Sequence, residues 1–170
     1  MRAAAKFLDS GEIKKNAEIM AQSLEKLYDK DTGVFYIAVD KEGPIQGITS
    51  DSLHALFYLE NEDLSETQIK NIVQASKVLE SPFGYRTSGI EGSKYGKSDY
   101  SLQIWPFEQA IIHAGAKKFR LKEVEEVSSR VSEFLDSYPE LFIIDENSLV
   151  KEGNDPQLWT VAAYKYFSKV

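Results

Sequence analysis

The sequence predicts an all-α fold. Three outer/inner helical hairpins stand side by side in a curved double layer, about half of a six-hairpin toroid, in a single domain spanning residues 1–170. Three observations lead there. Six segments carry apolar residues at helical spacing. They alternate between helices with one apolar stripe and helices apolar on most sides. The one-striped helices begin near residues 12, 65 and 121, a period of roughly 54 residues of the kind that marks repeat architectures.

The elements follow in order. Glu12–Tyr28 places Ile13, Ala17, Met20, Leu24 and Leu27 on one face. Ser50–Glu60 is short and mostly apolar, with Ser50 or Asp51 as its N-cap. Ser65–Glu80 opens with Ser65 and Gln68 in capping-box spacing and carries Ile69, Ile72, Val73, Ser76 and Leu79 as a stripe. Trp105–Phe119 has Pro106 in its first turn, where a missing N–H costs nothing, and is apolar nearly all round. Lys122–Tyr138 has the stripe Val124, Val127, Val131, Phe134 and Leu135. Asp155–Phe167 opens with Asp155 and Pro156 and is again mostly apolar. Helices apolar all round belong inside, and one-striped helices cover them from outside.

The links differ in length. Inner-to-outer links are a few residues, whereas outer-to-inner links run roughly 18 to 25, long enough to suggest a functional role. The first long link holds a short strand at 34–39 and a turn at Glu42–Pro44. All three long links then lie at one end, over the N-termini of the inner helices. There the unpaired N–H groups and the positive dipole end favour a polar pocket. Half a ring leaves apolar edges to be covered, by a missing half in cis or trans or by self-association.

Composition narrows the function. The net charge of −7 argues against nucleic acid or an anionic membrane surface. Zero cysteines exclude disulfides and thiol chemistry, and two histidines make a histidine metal site unexpected, so no metal and no cofactor are expected. No apolar run approaches the roughly 18 residues of a membrane span. The start, MRAAAKFLDSGEI, is too short and too soon charged for a secretory signal, so the cytoplasm is the expected location. The glycine-rich GIEGSKYG lacks phosphate-loop spacing.

Three segments carry a family resemblance: FGYRTS at 83–88, DYSLQIWPFEQAII at 99–112 and YPELFIIDENSLVKEGNDPQLWTVAAYKYF at 138–167. With ITSDSLHALFYL before them, they resemble the (α/α)6-toroid glycoside hydrolases over about residues 45–170, most nearly the C-terminal half of the amylo-α-1,6-glucosidase domain of glycogen debranching enzymes. The sequence departs from that pattern where Leu102 or Gln103 replaces a glycine before Trp-Pro and where Glu108-Gln109 replaces Asp-Asn. No residue matches the family's general acid, which lies in the half before this segment.

The resemblance implies an inverting α-glucosidase or glycogen-debranching type hydrolase acting on an oligosaccharide or glycogen-like substrate. Such chemistry needs an acid and a base carboxyl roughly 6.5–9.5 Å apart. By resemblance Glu140 is the base, with Asp145 and Glu146 behind it. Glu108 is expected to bind sugar hydroxyls, Trp105 to stack on a sugar face, Arg86 to clamp polar groups and Tyr100 to line the cleft. Each has a plainer reading. Glu108 complements a helix dipole, Trp105 packs the core, Arg86 bridges a loop to its neighbour, and Tyr85, Tyr95, His54, His113 and Trp159 are structural. Two other functions stay open: a non-catalytic carbohydrate-binding remnant, and a helical-repeat interaction module.

Overall fold

The computed structural model describes residues 10–89 and 99–169. Among them, six helices lie near the expected segments: α1 (Gly11–Glu25), α2 (Asp51–Tyr58), α3 (Glu66–Ser76), α4 (Pro106–Phe119), α5 (Lys122–Ser129) and α6 (Leu158–Phe167). The all-α expectation is wrong. The molecule is 51% helical with 19% in strands, arranged in four small antiparallel sheets, so its class is mixed α/β.

The strands occupy the long links and the ends of the outer helices. Link one carries β1 (Tyr28–Asp29) with β2 (Val34–Phe35), then β3 (Ala38–Asp40) with β4 (Gly43–Ile45). Link two carries β5 (Glu80–Ser81), β6 (Gly84–Tyr85) and β7 (Gln103–Ile104). Link three carries the hairpin β8 (Leu141–Asp145) and β9 (Ser148–Glu152), and β7 joins it to make three strands in the order β7-β8-β9. The physical reason is backbone satisfaction. Links folded against inner-helix ends must pair their N–H and C=O groups, and short ladders do so where no helix fits. The expected single strand at 34–39 is split between β2 and β3. The fifth helix is shorter than its apolar stripe, passing at Arg130–Phe134 into a 3₁₀ turn.

The core is layered as the two helix types require. Central α4 packs against α2 on one side, α6 on the other and outer α5 behind. The main cluster includes Leu53, Leu56, Ile72, Leu79, Tyr85, Ile112, Ala116 and Val124, all but fully buried. A second cluster of Phe83, Ile104, Val131, Leu135 and Phe142 fills the space beneath β7 and β8. Outer α3 has the predicted capping box: Ser65 Oγ accepts from the Gln68 N–H at 3.2 Å, and Gln68 Oε1 accepts from the Ser65 N–H at 2.9 Å. No helix among the described residues is long and apolar enough to cross a membrane.

Candidate functional site

The three links meet over the inner-helix N-termini. Thr49 and Ser88 form an antiparallel bridge between links one and two. The Ser50 N–H donates to Thr87 O at 3.0 Å, and the Thr87 N–H donates to Gln103 O at 3.2 Å. Gln103 in turn pairs with Ile143 of β8. This band brings residues from three hairpins together at the mouths of α2 and α4.

Glu108, in the first turn of α4, is the best-held acidic group there. Its Oε2 accepts from Ser50 Oγ at 3.1 Å and from Thr87 Oγ1 at 3.3 Å. Burial pushes its carboxyl up to about 7; the two hydroxyls oppose that rise, and nearby Asp51 adds to it. Ser50 sits at the N-cap position of α2 as expected, but its side chain makes no cap bond. Its hydroxyl is spent on Glu108 instead. Across from Glu108, His54 Nε2 lies 4.0 Å from Oε2, and His54 Nδ1 lies 3.7 Å from Asp51 Oδ1. The first distance is that of an ion pair rather than a hydrogen bond, and Nε2 is buried with no hydrogen-bond partner. Burial lowers the pKa of His54, while Asp51 pulls it up.

Trp105 precedes α4 as its N-cap residue and donates from Nε1 to Gln103 Oε1 at 3.0 Å. Its ring lies 6.5 Å from that of Trp159, in the first turn of α6, and Phe107 lies 6.3 Å from the same ring. Phe107 and Trp159 remain 41% and 39% exposed, so these rings form a ledge rather than a sealed core. Glu140 enters at the head of β8. In the antiparallel register Ile104 faces Phe142, two residues beyond Glu140. Its Oε2 accepts from the Asn154 N–H at 3.1 Å and from Asn154 Nδ2 at 3.0 Å. Trp105 and Glu108 stand at the start of α4, and Glu140 immediately precedes β8, whose partner β7 leads into α4.

Arg86 is committed to backbone carbonyls. Its guanidinium donates to Val78 O at 3.1 Å, Leu79 O at 3.4 Å and Glu80 O at 2.9 Å, capping the carbonyls that end the first turn after α3. Burial lowers its pKa. Asp145 and Glu146 stand on the exposed tip of the β8–β9 hairpin, roughly 16 Å along the strand from Glu140 at about 3.3 Å per residue. Tyr95 and the side chain of Tyr100 lie outside the described residues. His113 is a core group: its Nδ1 meets Glu125 O at 3.0 Å and Ser128 Oγ at 3.2 Å, tying α4 to α5.

The sequence did not reveal the supports of this site. Gln109 is fully buried and binds both backbone atoms of Tyr85: Oε1 accepts from its N–H and Nε2 donates to its carbonyl, each at 2.9 Å. Gly84 makes room for this lock, since a Cβ there would stand 2.7 Å from Gln109 Oε1, at a φ of +133°. A buried glutamine next to a buried tyrosine leaves no periodic trace. Thr87 and Ser50 as donors to Glu108 depend on contacts 21 and 58 residues apart.

No protein-family model matches the chain, and no curated protein sequence does. In structure it resembles neutral trehalase Nth1 from Saccharomyces cerevisiae, with a TM-score of 0.67 at 16% identity. The match takes in 92% of this chain but only 30% of that one, so the chain spans under a third of that protein's length. At that identity the likeness establishes the fold alone: these residues take the fold of a segment of that protein.

Proposed function

We propose that the chain is the C-terminal part of an inverting α-glucosidase or glycogen-debranching type hydrolase, whose linked end is a cleft for an oligosaccharide or glycogen-like substrate. The observation that carries this reading is the carboxyl of Glu108, held by two hydroxyls at the mouth of α4 beside the ledge of Trp105, Phe107 and Trp159. A buried carboxyl next to exposed aromatic faces suits a polyhydroxylated ring, which offers hydroxyls at its rim and C–H groups on its faces. Glu140 is the general base, Glu108 and Tyr100 contact hydroxyls, and Trp105 lines the stacking face. Arg86 contributes by fixing the loop rather than by touching sugar. The general acid comes from the remainder of a ring, in the same chain or in a partner.

The test is a titration of the 170-residue chain with maltooligosaccharide and with trehalose, followed by amide and indole NMR shifts, alongside a glucose-release assay. Shifts are expected at 105, 108 and 159, with no glucose formed. Sugar-induced shifts absent from this end of the molecule would sink the cleft. Appreciable glucose release by the chain alone would sink the need for a missing half. Once the ring is completed, hydrolysis is expected and Glu140→Gln should abolish it. Binding without hydrolysis in the completed protein would favour the non-catalytic remnant.

A further inference from the structure

His54 has no part in the reading above, yet its position is hard to explain as packing. A buried ring nitrogen without a partner is costly, and so is charge on a carboxyl that is mostly withdrawn from water. Here the two face each other across 4.0 Å. Consider the charge states. With Glu108 ionised and His54 neutral, either two lone pairs oppose each other or the ring turns its only proton from Asp51 towards Glu108. With Glu108 protonated, its O–H can point at the Nε2 lone pair. With the proton on the ring, the two form an ion pair. Asp51 keeps a partner in every case, its Oδ2 accepting from Thr49 Oγ1 at 2.9 Å, so every favourable arrangement holds one proton between Glu108 and His54. The remaining gap closes by a small rotation of the ring or through one bridging water.

We propose that Glu108 and His54 are a proton-sharing pair, with Asp51 at its solvent end, so that the mouth of α4 can present an oxygen ligand with either a donor or an acceptor. His54 acts here as a positioning residue. Asp51, whose side chain is 69% exposed, favours the tautomer with a proton on Nδ1 and leaves Nε2 free to accept. In the transfer step the Glu108 O–H bond breaks and an Nε2–H bond forms. The Nδ1 proton passes to Asp51 or to water, and one proton has moved from the buried end to the exposed end. The titratable groups that face one another here are Asp51 and His54 from α2 and Glu108 from α4, while Ser50 and Thr87 contribute hydroxyls. Burial disfavours charge on both partners, lowering the pKa of His54 and raising that of Glu108, which suits the neutral pair. The role of the pair towards a sugar hydroxyl rests on the proposed cleft; the pair itself does not.

The experiment is an NMR pH titration of the full chain, following the ring nitrogens of His54 and the carboxyl carbon of Glu108. The His54 signal should show a step at the midpoint of Glu108, and Glu108→Gln should remove it. From the other side, His54→Gln should move the Glu108 midpoint by about one pH unit, the scale at which two sites count as coupled. Asp51→Asn should raise the share of the tautomer protonated on Nε2. Identical His54 titrations in the parent and Glu108→Gln, or an unmoved Glu108 midpoint in His54→Gln, would overturn the pair. Failure of the cleft reads differently: sugars would then leave residues 105, 108 and 159 unshifted while the cross-titration persists.

Discussion

The close approach of α4 to α2 at Gly115 offers a direct test of how these helices pack. Gly115 of α4 faces α2, and a Cβ built on it would stand 2.8 Å from Phe57 N and 2.9 Å from Leu56 C. Both are backbone atoms, so no side-chain rotation relieves the clash. Ordinary contact begins near 3.4 Å, so α2 must retreat by about half an ångström. The seam it would open is lined by Leu53, Leu56, Ile112 and Ala116, all 0% exposed. A gap of about 0.5–1 Å forfeits a quarter to a half of each dispersion well, and overpacking of this kind costs about 1–3 kcal/mol. Alanine returns about 1 kcal/mol of helix propensity. Because the obstruction is backbone, Gly115→Ala should fall at or beyond the upper end of that range, a net loss of about 2 kcal/mol. For a domain of this size that is a fall in Tm of about 4–8 °C. Gly11→Ala is the control: Gly11 opens α1 and nothing lies within 4 Å of its would-be Cβ. It should be neutral or stabilising by less than about 1 kcal/mol. Urea unfolding followed by helical circular dichroism measures both. A Gly115→Ala protein as stable as its parent would mean that α2 and α4 do not meet at this distance.

Three further outcomes are expected. Ser65→Ala removes the capping box of α3 and should cost about 1 kcal/mol in urea unfolding. Arg86→Lys keeps the charge but cannot span the carbonyls of Val78, Leu79 and Glu80; it should cost about 1–3 kcal/mol while leaving sugar-induced shifts at Trp105 in place, and loss of those shifts without loss of stability would return Arg86 to the cleft. Glu108 is raised from 4.5 to about 7 on folding, so its neutral form stabilises the native state at low pH, and that contribution fades as pH rises through about 7. Relative to Glu108→Gln, the parent should therefore lose stability between about pH 4.5 and 7, by up to roughly 3 kcal/mol, and run parallel above; parallel unfolding midpoints across the whole range would refute the raised carboxyl.

The helices were legible because burial imposes a period on them. Ile72 and Leu79, and Val124, Val127 and Val131, are core residues that the apolar stripes also single out. Capping chemistry was legible for the same reason: Ser65 and Gln68 act within four residues of each other. The strands were not, because pairs such as Glu80–Ser81 with Gly84–Tyr85 are too short to show an alternation. The hairpin at 141–152 was the missed opportunity. Leu141–Ile144 is a run of branched and aromatic residues, and the turn that follows places Glu146 at a φ of +51°. Within the site, Glu108 and Trp105 stood out from the sequence through the family resemblance. His54 did not, since a histidine on an apolar helix reads the same whether its ring faces leucine or a carboxyl.

The strands that defeated the all-α expectation are also what assembles the candidate site. Helix packing sets α2 and α6 on either side of α4, and their N-terminal ends meet through Ser50 on Glu108 and Trp105 against Trp159. The bridge from Thr49 to Ser88, the bond from Thr87 to Gln103 and the pairing of Gln103 with Ile143 run as one band across those ends. That band sets Thr87 against Glu108 and pairs β8, which Glu140 immediately precedes, with the strand that leads into α4. Each link in it is a backbone pairing between distant segments, to which side-chain periodicity is blind. The helical repeat therefore determines where a site can form, and the short ladders determine which side chains fill it.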